Sequence, residues 1–407
     1  MDDKQDEWQA AQPHQRSKID DPTESPRKTE DDFGNGQPSE VDPKRMRAIY
    51  RRLDLRIIPA FWVLYFLCSA VRANVGLAQT MNTDNGHDLG TYLNLTSKQI
   101  STGLALFYVS YVVLELPSNL AMSKLEPSVW LARIVISVGI IGTAMVGIRN
   151  AASYYVLRLL LGAVEAGMWP GMTFFLTLFY PPHRMAKRVG WYFTASQVSA
   201  AVVGLVSAGF QKMDGDGGLV GFRWMFLLWG IVTLSVGFAL LWWLPDRPII
   251  PGQEKKQSWL GRWTPNVPPA LTGEDAELHY KDLSKAYLTS AWTVKDLVKV
   301  LLDWRIWPLI IMYFGVVGVG NGIQSYGTVL LSAINPNFSG IELSLLYAPI
   351  WICDLFGILT ITPISDHFYK KRALFFTFPV LLQITGLLVA TYAGASTSAQ
   401  WVVTLAS

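Results

Sequence analysis

The chain has 407 residues, 51% of them hydrophobic and only 16% charged, with a formal net charge of +3. With a mean hydropathy of +0.26, this balance fits a polytopic membrane protein rather than a soluble domain. Two cysteines and five scattered histidines leave no disulfide framework and no metal-ligand spacing, so no cofactor is expected. Nothing points to a nucleic-acid partner.

In chain order, the first 43 residues are acidic, rich in Pro, Ser, Gln and Asp, and lack apolar periodicity. A disordered cytoplasmic tail is expected over 1–47. No apolar region with a cleavage site lies near Met1, so no signal peptide is expected. Lys44, Arg45, Arg47, Arg51, Arg52 and Arg56 then crowd the entrance to the first apolar run. By the positive-inside rule they hold the N-terminus in the cytoplasm.

Apolar stretches long enough to cross a bilayer cover residues 57–78, 99–122, 131–149, 153–179, 191–211, 224–244, 306–331, 344–364 and 373–393, and a tenth begins at Trp401. Basic residues gather before the third, fifth and ninth stretches. Both N-x-S/T sequons, at Asn94 and Asn337, fall in connections expected to face outward. The layout predicts a six-helix lobe over 48–246, a cytoplasmic linker over 247–303 with a short amphipathic helix around 273–287, and a partial second lobe over 304–407. Small residues four apart (Ala200, Gly204 and Ala208; Gly167 and Gly171; Gly318 and Gly322) predict close helix packing. Trp62, Trp130, Trp191, Trp242, Trp243, Trp304 and Trp307 read as interfacial anchors, and Cys68 and Cys353 as small packing residues.

Glu165 is the most informative residue, a carboxylate near the centre of the fourth apolar stretch, with Arg158 two helical turns before it on the same face. Ionisable groups at membrane depth are costly and mark ion or substrate paths. Depth counting at about 1.5 Å per residue places Arg72 and Arg158 near the outer side, with Glu165 about 10 Å deeper. Two guanidinium groups above one carboxylate suit an organic anion, with Glu165 carrying the exchangeable proton. A structural Arg158–Glu165 salt bridge and an Arg72 that snorkels to the outer headgroups are the plainer alternatives. Asp354 is a second proton-site candidate. Asn74, Gln197, Asn321, Gln324 and Tyr326 are polar groups expected to line the cavity. Glu115, near the inner end of span two beside Pro117-Ser118-Asn119, reads as part of a conformational latch. No nucleophile–base pair or cofactor loop suggests an enzyme.

The stretch Arg158-Leu-Leu-Leu-Gly-Ala-Val-Glu-Ala-Gly-Met-Trp-Pro-Gly, followed by Leu178-Phe-Tyr-Pro-Pro and Arg184-x-x-Lys-Arg-x-Gly190, resembles the fourth span and following loop of the anion:cation symporter family of the major facilitator superfamily. The likeness is to its fungal allantoate-, nicotinate- and vitamin-permease-like members. Leu116-Pro-Ser-Asn119 with Trp130-Leu-Ala-Arg133, Gly221-Phe-Arg-Trp-Met-Phe and Leu244-Pro-Asp-Arg-Pro248 extend it across about residues 48–407. Gly357, Ser365, Asp366 and Lys371-Arg372 resemble the second copy of the superfamily loop motif.

The resemblance implies a twelve-span fold of two six-helix lobes with a central site reached alternately from either side. It assigns Asn119, Arg184, Asp366 and Arg372 to the latch with Glu115. It also implies a plasma-membrane permease for a small organic anion, commonly coupled to protons. Export of a secondary metabolite and a non-transporting nutrient sensor or defective carrier are the alternatives. Two departures stand out. Val71 occupies the place of a family Asp, so coupling is expected to rest on Glu165. The chain also ends within the expected tenth span, so about nine to ten of twelve spans are expected.

Overall fold

The computed structural model describes residues 43–248, 267–286, 299, 302–368 and 372–392. The acidic tail before Asp42 and the tenth stretch at Trp401 lie outside the described residues. So does most of the linker. Among the described residues the architecture is helical throughout: α1 (Pro43–Ala78), α2 (Ser97–Lys124), α3 (Pro127–Ala144), α4 (Ala151–Glu165), α5 (Met168–Phe179), α6 (Pro182–Lys212), α7 (Gly221–Trp243), α8 (Glu274–Ala286), α9 (Ile306–Ile334), α10 (Gly340–His367) and α11 (Arg372–Tyr392). Eight segments among the described residues are long and apolar enough to cross a membrane, with α4 and α5 together forming one of them. The ninth expected stretch falls on α11, whose described apolar portion is Leu374–Gly386.

Helix α1 starts well before the expected span. Met46, Ile49, Tyr50, Leu53 and Ile57 repeat at three- and four-residue intervals and are all buried, so the amphipathic pattern carries the helix back to Pro43. The tail boundary at 47 is corrected to this point. On the opposite side, Arg47 and Arg51 are exposed. Helices α2, α4 and α10 each open with a capping box, Thr96 with Gln99, Asn150 with Ser153, and Ser339 with Glu342. Each box satisfies amide donors that helix initiation leaves orphaned. These three starts define one end of the bundle, here the far end; α1 begins at the near end.

Span four is not one helix. Gly167 adopts φ +80° between α4 and α5. Locally, the Pro170 ring crowds the Ala166 carbonyl and Pro170 has no N–H to offer it, which weakens the helix at this point. A glycine takes the left-handed turn without penalty. A Cβ at Gly167 would also lie 2.6 Å from the Ser118 hydroxyl oxygen of α2.

The first lobe packs through small residues. A Cβ at Gly139 would lie 2.5 Å from the Leu234 nitrogen, and one at Gly162 would run into the Phe107 carbonyl oxygen. These contacts bring α3 against α7 and α4 against α2. The lobes meet through α1 with α9 and α6 with α10. Gly204 packs on Tyr347, as its small-residue spacing predicts, but Gly318 and Gly322 meet no described atom within 4 Å. Trp62 and Trp130 are also corrected: their indole N–H groups donate to Thr194 and Ser118 inside the bundle, whereas Trp191, Trp242, Trp243, Trp304 and Trp307 are exposed. Cys68 is buried and Cys353 exposed.

Interlobe hydrogen bonds cluster toward the far end. Gln79 donates to the Ser325 carbonyl at 2.9 Å, Thr328 to the Gly76 carbonyl at 3.2 Å, and Gln211 to the Ser344 hydroxyl at 2.9 Å. A Cβ at Gly76 would sit 2.6 Å from the Gln324 carbonyl oxygen, so α1 and α9 touch backbone to backbone. Gly76→Val should force them apart and raise the maleimide labelling rate of a cysteine at Ser325 in a Cys68→Ser/Cys353→Ser background. An unchanged rate would show that this contact does not seal the far end.

Candidate functional site

The site is organised by α1 and α4. Arg72, one turn after Ser69 on α1, donates from Nη2 to Glu165 Oε1 at 2.7 Å. The Glu165 side chain is fully buried and that of Arg72 is 17% exposed. Glu165 is the last residue of α4, where unsatisfied carbonyls make a carboxylate unwelcome. Arg72 supplies the opposing charge. The snorkelling alternative for Arg72 does not hold: its guanidinium turns inward onto the carboxylate. The break at Gly167 immediately follows and sets where α4 ends.

The alternative of an Arg158–Glu165 salt bridge is not seen either. Arg158 is 1% exposed, its guanidinium lies 4.9 Å from the centre of the Phe107 ring, and Nε and Nη1 have no hydrogen-bond partner among the described residues. It remains within electrostatic reach of Tyr154, Tyr108, Glu165 and Arg72. Glu165 Oε2, Arg72 Nε and Asn74 Oδ1 are likewise buried without partners. The centre thus holds two guanidinium groups against one carboxylate, with donors and two acceptor oxygens left unused. Leaving such groups buried and unmatched costs free energy. An anion brought near Arg158 would satisfy both its charge and its donors.

The other expected cavity residues divide. Gln324 of α9 donates to Ser69 at 3.3 Å, and Ser69 lies 3.1 Å from the Ser196 hydroxyl, so Gln324 joins the ion-pair region across the lobe boundary. Gln197 is buried with Oε1 unpartnered and its side chain reaches toward Asp354 of α10. Asn321 makes no hydrogen bond among the described residues. Tyr326 is displaced from the centre: it lines a far-end cavity of about 560 Å³ with Gln79, Asp88, Thr91 and Ile100. Val71 packs toward Gly142 of α3, away from the pair.

Of the expected latch residues, Glu115, Asn119 and Arg184 have described side chains. Glu115 has no hydrogen-bond partner among the described residues, while Asn119 lies beside Gly167. Arg184 stacks over Tyr50, with its guanidinium 4.3 Å from the ring centre. The backbones of Asp366 and Arg372 belong to α10 and α11, and their side chains lie outside what is described. At the near end Arg188 pairs with Asp54 in a fork at 2.6 and 2.7 Å. Asp54 had a sequence signal, as the lone acid inside the basic run Arg51 to Arg56. Ser69 and Gln211 had none beyond being polar in apolar helices.

The buried pair generates a stability prediction. Arg72→Gln should leave Glu165 unpaired and cost about 3–5 kcal/mol, measured by denaturation in detergent. Arg72→Gln/Glu165→Gln should recover most of that loss. Additive losses would show that the two charges are not coupled.

The profile of the Major Facilitator Superfamily matches residues 61–407. Vitamin H transporter 1 of Schizosaccharomyces pombe is 45% identical over 86% of this chain and 63% of its own length. A putative tartrate transporter of Agrobacterium vitis is 31% identical over 66% of the chain and 54% of its own length. The chain therefore spans about 60% of the length of the curated relatives it matches most extensively. Among solved structures, a bacterial homologue of the human lysosomal transporter Spinster, inward-facing and unoccupied, superposes with a TM-score of 0.61 at 16% identity. It covers 90% of this chain and 72% of the bacterial one. The xylose transporter XylE of E. coli, in a partially occluded inward-open conformation, gives a TM-score of 0.54 at 15% identity, covering 86% and 80%. With this helical architecture and this profile match, the chain belongs to the major facilitator superfamily of membrane transporters, carriers and not enzymes.

Proposed function

We propose that the protein is a proton-coupled permease of the anion:cation symporter branch, carrying a small carboxylate-bearing metabolite across the plasma membrane by alternating access. The single observation that carries this reading is the unmatched charge at the centre: Arg158 buried with two unpartnered nitrogens, beside a carboxylate already claimed by Arg72. The relatives' printed names agree in chemistry, since tartrate is a dicarboxylate and vitamin H carries one carboxylate.

In this reading the near end faces the cytoplasm, supported by its Arg and Lys clusters and by both sequons lying toward the far end. The substrate carboxylate binds the donors of Arg158, and its negative charge favours protonation of Glu165. A protonated Glu165 no longer holds Arg72, so the α1–α4 contact loosens. Because α1 also carries Ser69, bonded to Gln324 of the second lobe, a change at the pair reaches the lobe boundary within one helical turn. Asp354, reached by Gln197 across the same boundary, is a second proton position.

Reconstituted protein should accumulate labelled tartrate or vitamin H when only an inward proton gradient is imposed. Glu165→Gln should abolish that accumulation while preserving counterflow exchange. Arg158→Ala should reduce both modes by about 10- to 100-fold, the loss expected for a charged hydrogen-bond partner. Gradient-driven accumulation by Glu165→Gln would overturn the assignment of the proton to this residue.

A further inference from the structure

Helix α8 belongs to none of the candidate spans, yet it is seated on the near end of the first lobe by a defined set of contacts. Its first turn is held ionically: Arg45 donates to Glu274 at 2.8 Å and Asp275 at 3.1 Å, and Arg52 to Asp275 at 3.0 Å. The preceding segment is held by Arg56, which donates to the Pro268 and Pro269 carbonyls at 2.8 and 3.2 Å. Farther along, His279 is 1% exposed. Its Nε2 lies 2.7 Å from the Phe179 carbonyl oxygen at the end of α5, and its ring stands edge-on to Tyr50 at 5.7 Å. The Tyr50 hydroxyl donates to Asp282 on the next turn of α8 at 2.6 Å.

We propose that α8 is a proton-released strap, docked across α1 and α5 while His279 is neutral and freed when the solution at the near end acidifies and His279 takes a second proton. The geometry fixes the site of that proton. A carbonyl can only accept, so Nε2 carries the hydrogen and Nδ1 is the nitrogen left to be protonated. The seat is poor for an imidazolium. Around it lie Tyr50 and, beyond it, Asp54 from α1, Tyr180 after α5, Arg184 and Arg188 from α6, and Asp282 from α8 itself. Arg184 and Arg188 both stack on Tyr50, at 4.3 and 5.8 Å. Asp54 is engaged by Arg188 and Asp282 by Tyr50.

Burial pushes the imidazole below its ordinary value, against the smaller opposing effects of the Phe179 carbonyl and Asp282. The docked helix thus binds a proton less readily than the free one. Docking is fully favoured above about pH 6.5 and is lost as the pH falls below it, by about tenfold in the docking constant per unit down to the docked value. The exposed arginine pairs are weak, screened contacts and do not hold α8 in place by themselves. Strap release goes beyond the permease reading, and its test requires no transport.

Spin labels at Glu277→Cys and Lys187→Cys, in a Cys68→Ser/Cys353→Ser background in nanodiscs, report the α8–α6 distance by double electron–electron resonance. Arg52→Ala brings both populations into range. We expect one short, narrow distance at about pH 8 and a broad, long component growing about tenfold per unit below pH 6.5. His279→Gln keeps a donor for the Phe179 carbonyl and cannot become a cation, so it should remain docked throughout. A parent distribution unchanged down to about pH 5, or the same pH response in His279→Gln, would overturn the strap.

Discussion

The ion pair between Arg72 and Glu165 is the contact on which the rest of the site depends. A carboxylate without solvent cannot persist at the end of a helix unless something supplies positive charge. Arg72 does so from a neighbouring helix at 2.7 Å, and this commits α1 and α4 to one relative position. It also leaves Arg158 without a carboxylate of its own. Two cations sharing one anion give the centre a net positive charge, the condition that draws an organic anion inward. Protonation of Glu165 would raise that charge further and favour a bound carboxylate more strongly. Substrate and proton are thereby expected to bind cooperatively without direct contact between them.

Around this centre the two ends of the bundle are built from different physics. At the far end the lobes are joined by close backbone approach, with Gly76 on α9 and Gly204 on Tyr347. A few neutral hydrogen bonds such as Gln211 to Ser344 complete it. Such contacts can part and reform at little cost in charge desolvation. At the near end the first lobe is tied by charges and aromatic rings: Asp54 with Arg188, the guanidinium groups over Tyr50 and Tyr180, and α8 laid across them. Asp214 at the far end is a smaller electrostatic anchor. Desolvation acts to raise its carboxyl, but the hydrogen bonds from His87 and the Gly221 amide outweigh this and hold it below the usual range. That favours the ionised form that ties the α6–α7 turn to the loop after α1.

Much of the fold was legible because apolar length and basic flanks are strong, local signals. Glu165 and Arg158 were legible as costly charges in apolar runs. Two-turn spacing also left an Arg158–Glu165 salt bridge open as an alternative, because spacing within one helix is silent about partners on its neighbours. The partner of Glu165 instead came from α1, a tertiary fact with no sequence period. The break after Glu165 had a sequence signal in Gly167-x-x-Pro170, a left-handed turn former followed by a ring that weakens the helix, whereas Pro59 and Pro117, without such a glycine, lie inside continuous helices. Tyr326 shows the limit of facing arguments: two residues past Gln324 it turns toward a different cavity. The seat of α8 was half legible, as an amphipathic helix with an acidic first turn in a linker. That it would cover Tyr50 and bury His279 required the ends of α5 and α6 to be in place.

Proton linkage of substrate binding tests the central claim most directly. Titration calorimetry of the purified protein with tartrate or vitamin H, in buffers of differing ionisation enthalpy, reads protons taken up per anion bound. The account predicts net proton uptake on anion binding that approaches about one proton per carboxylate at pH values above the Glu165 midpoint of the free protein and below that of the complex, absent in Glu165→Gln. Binding without proton uptake in the parent protein, or the same uptake in Glu165→Gln, would contradict it.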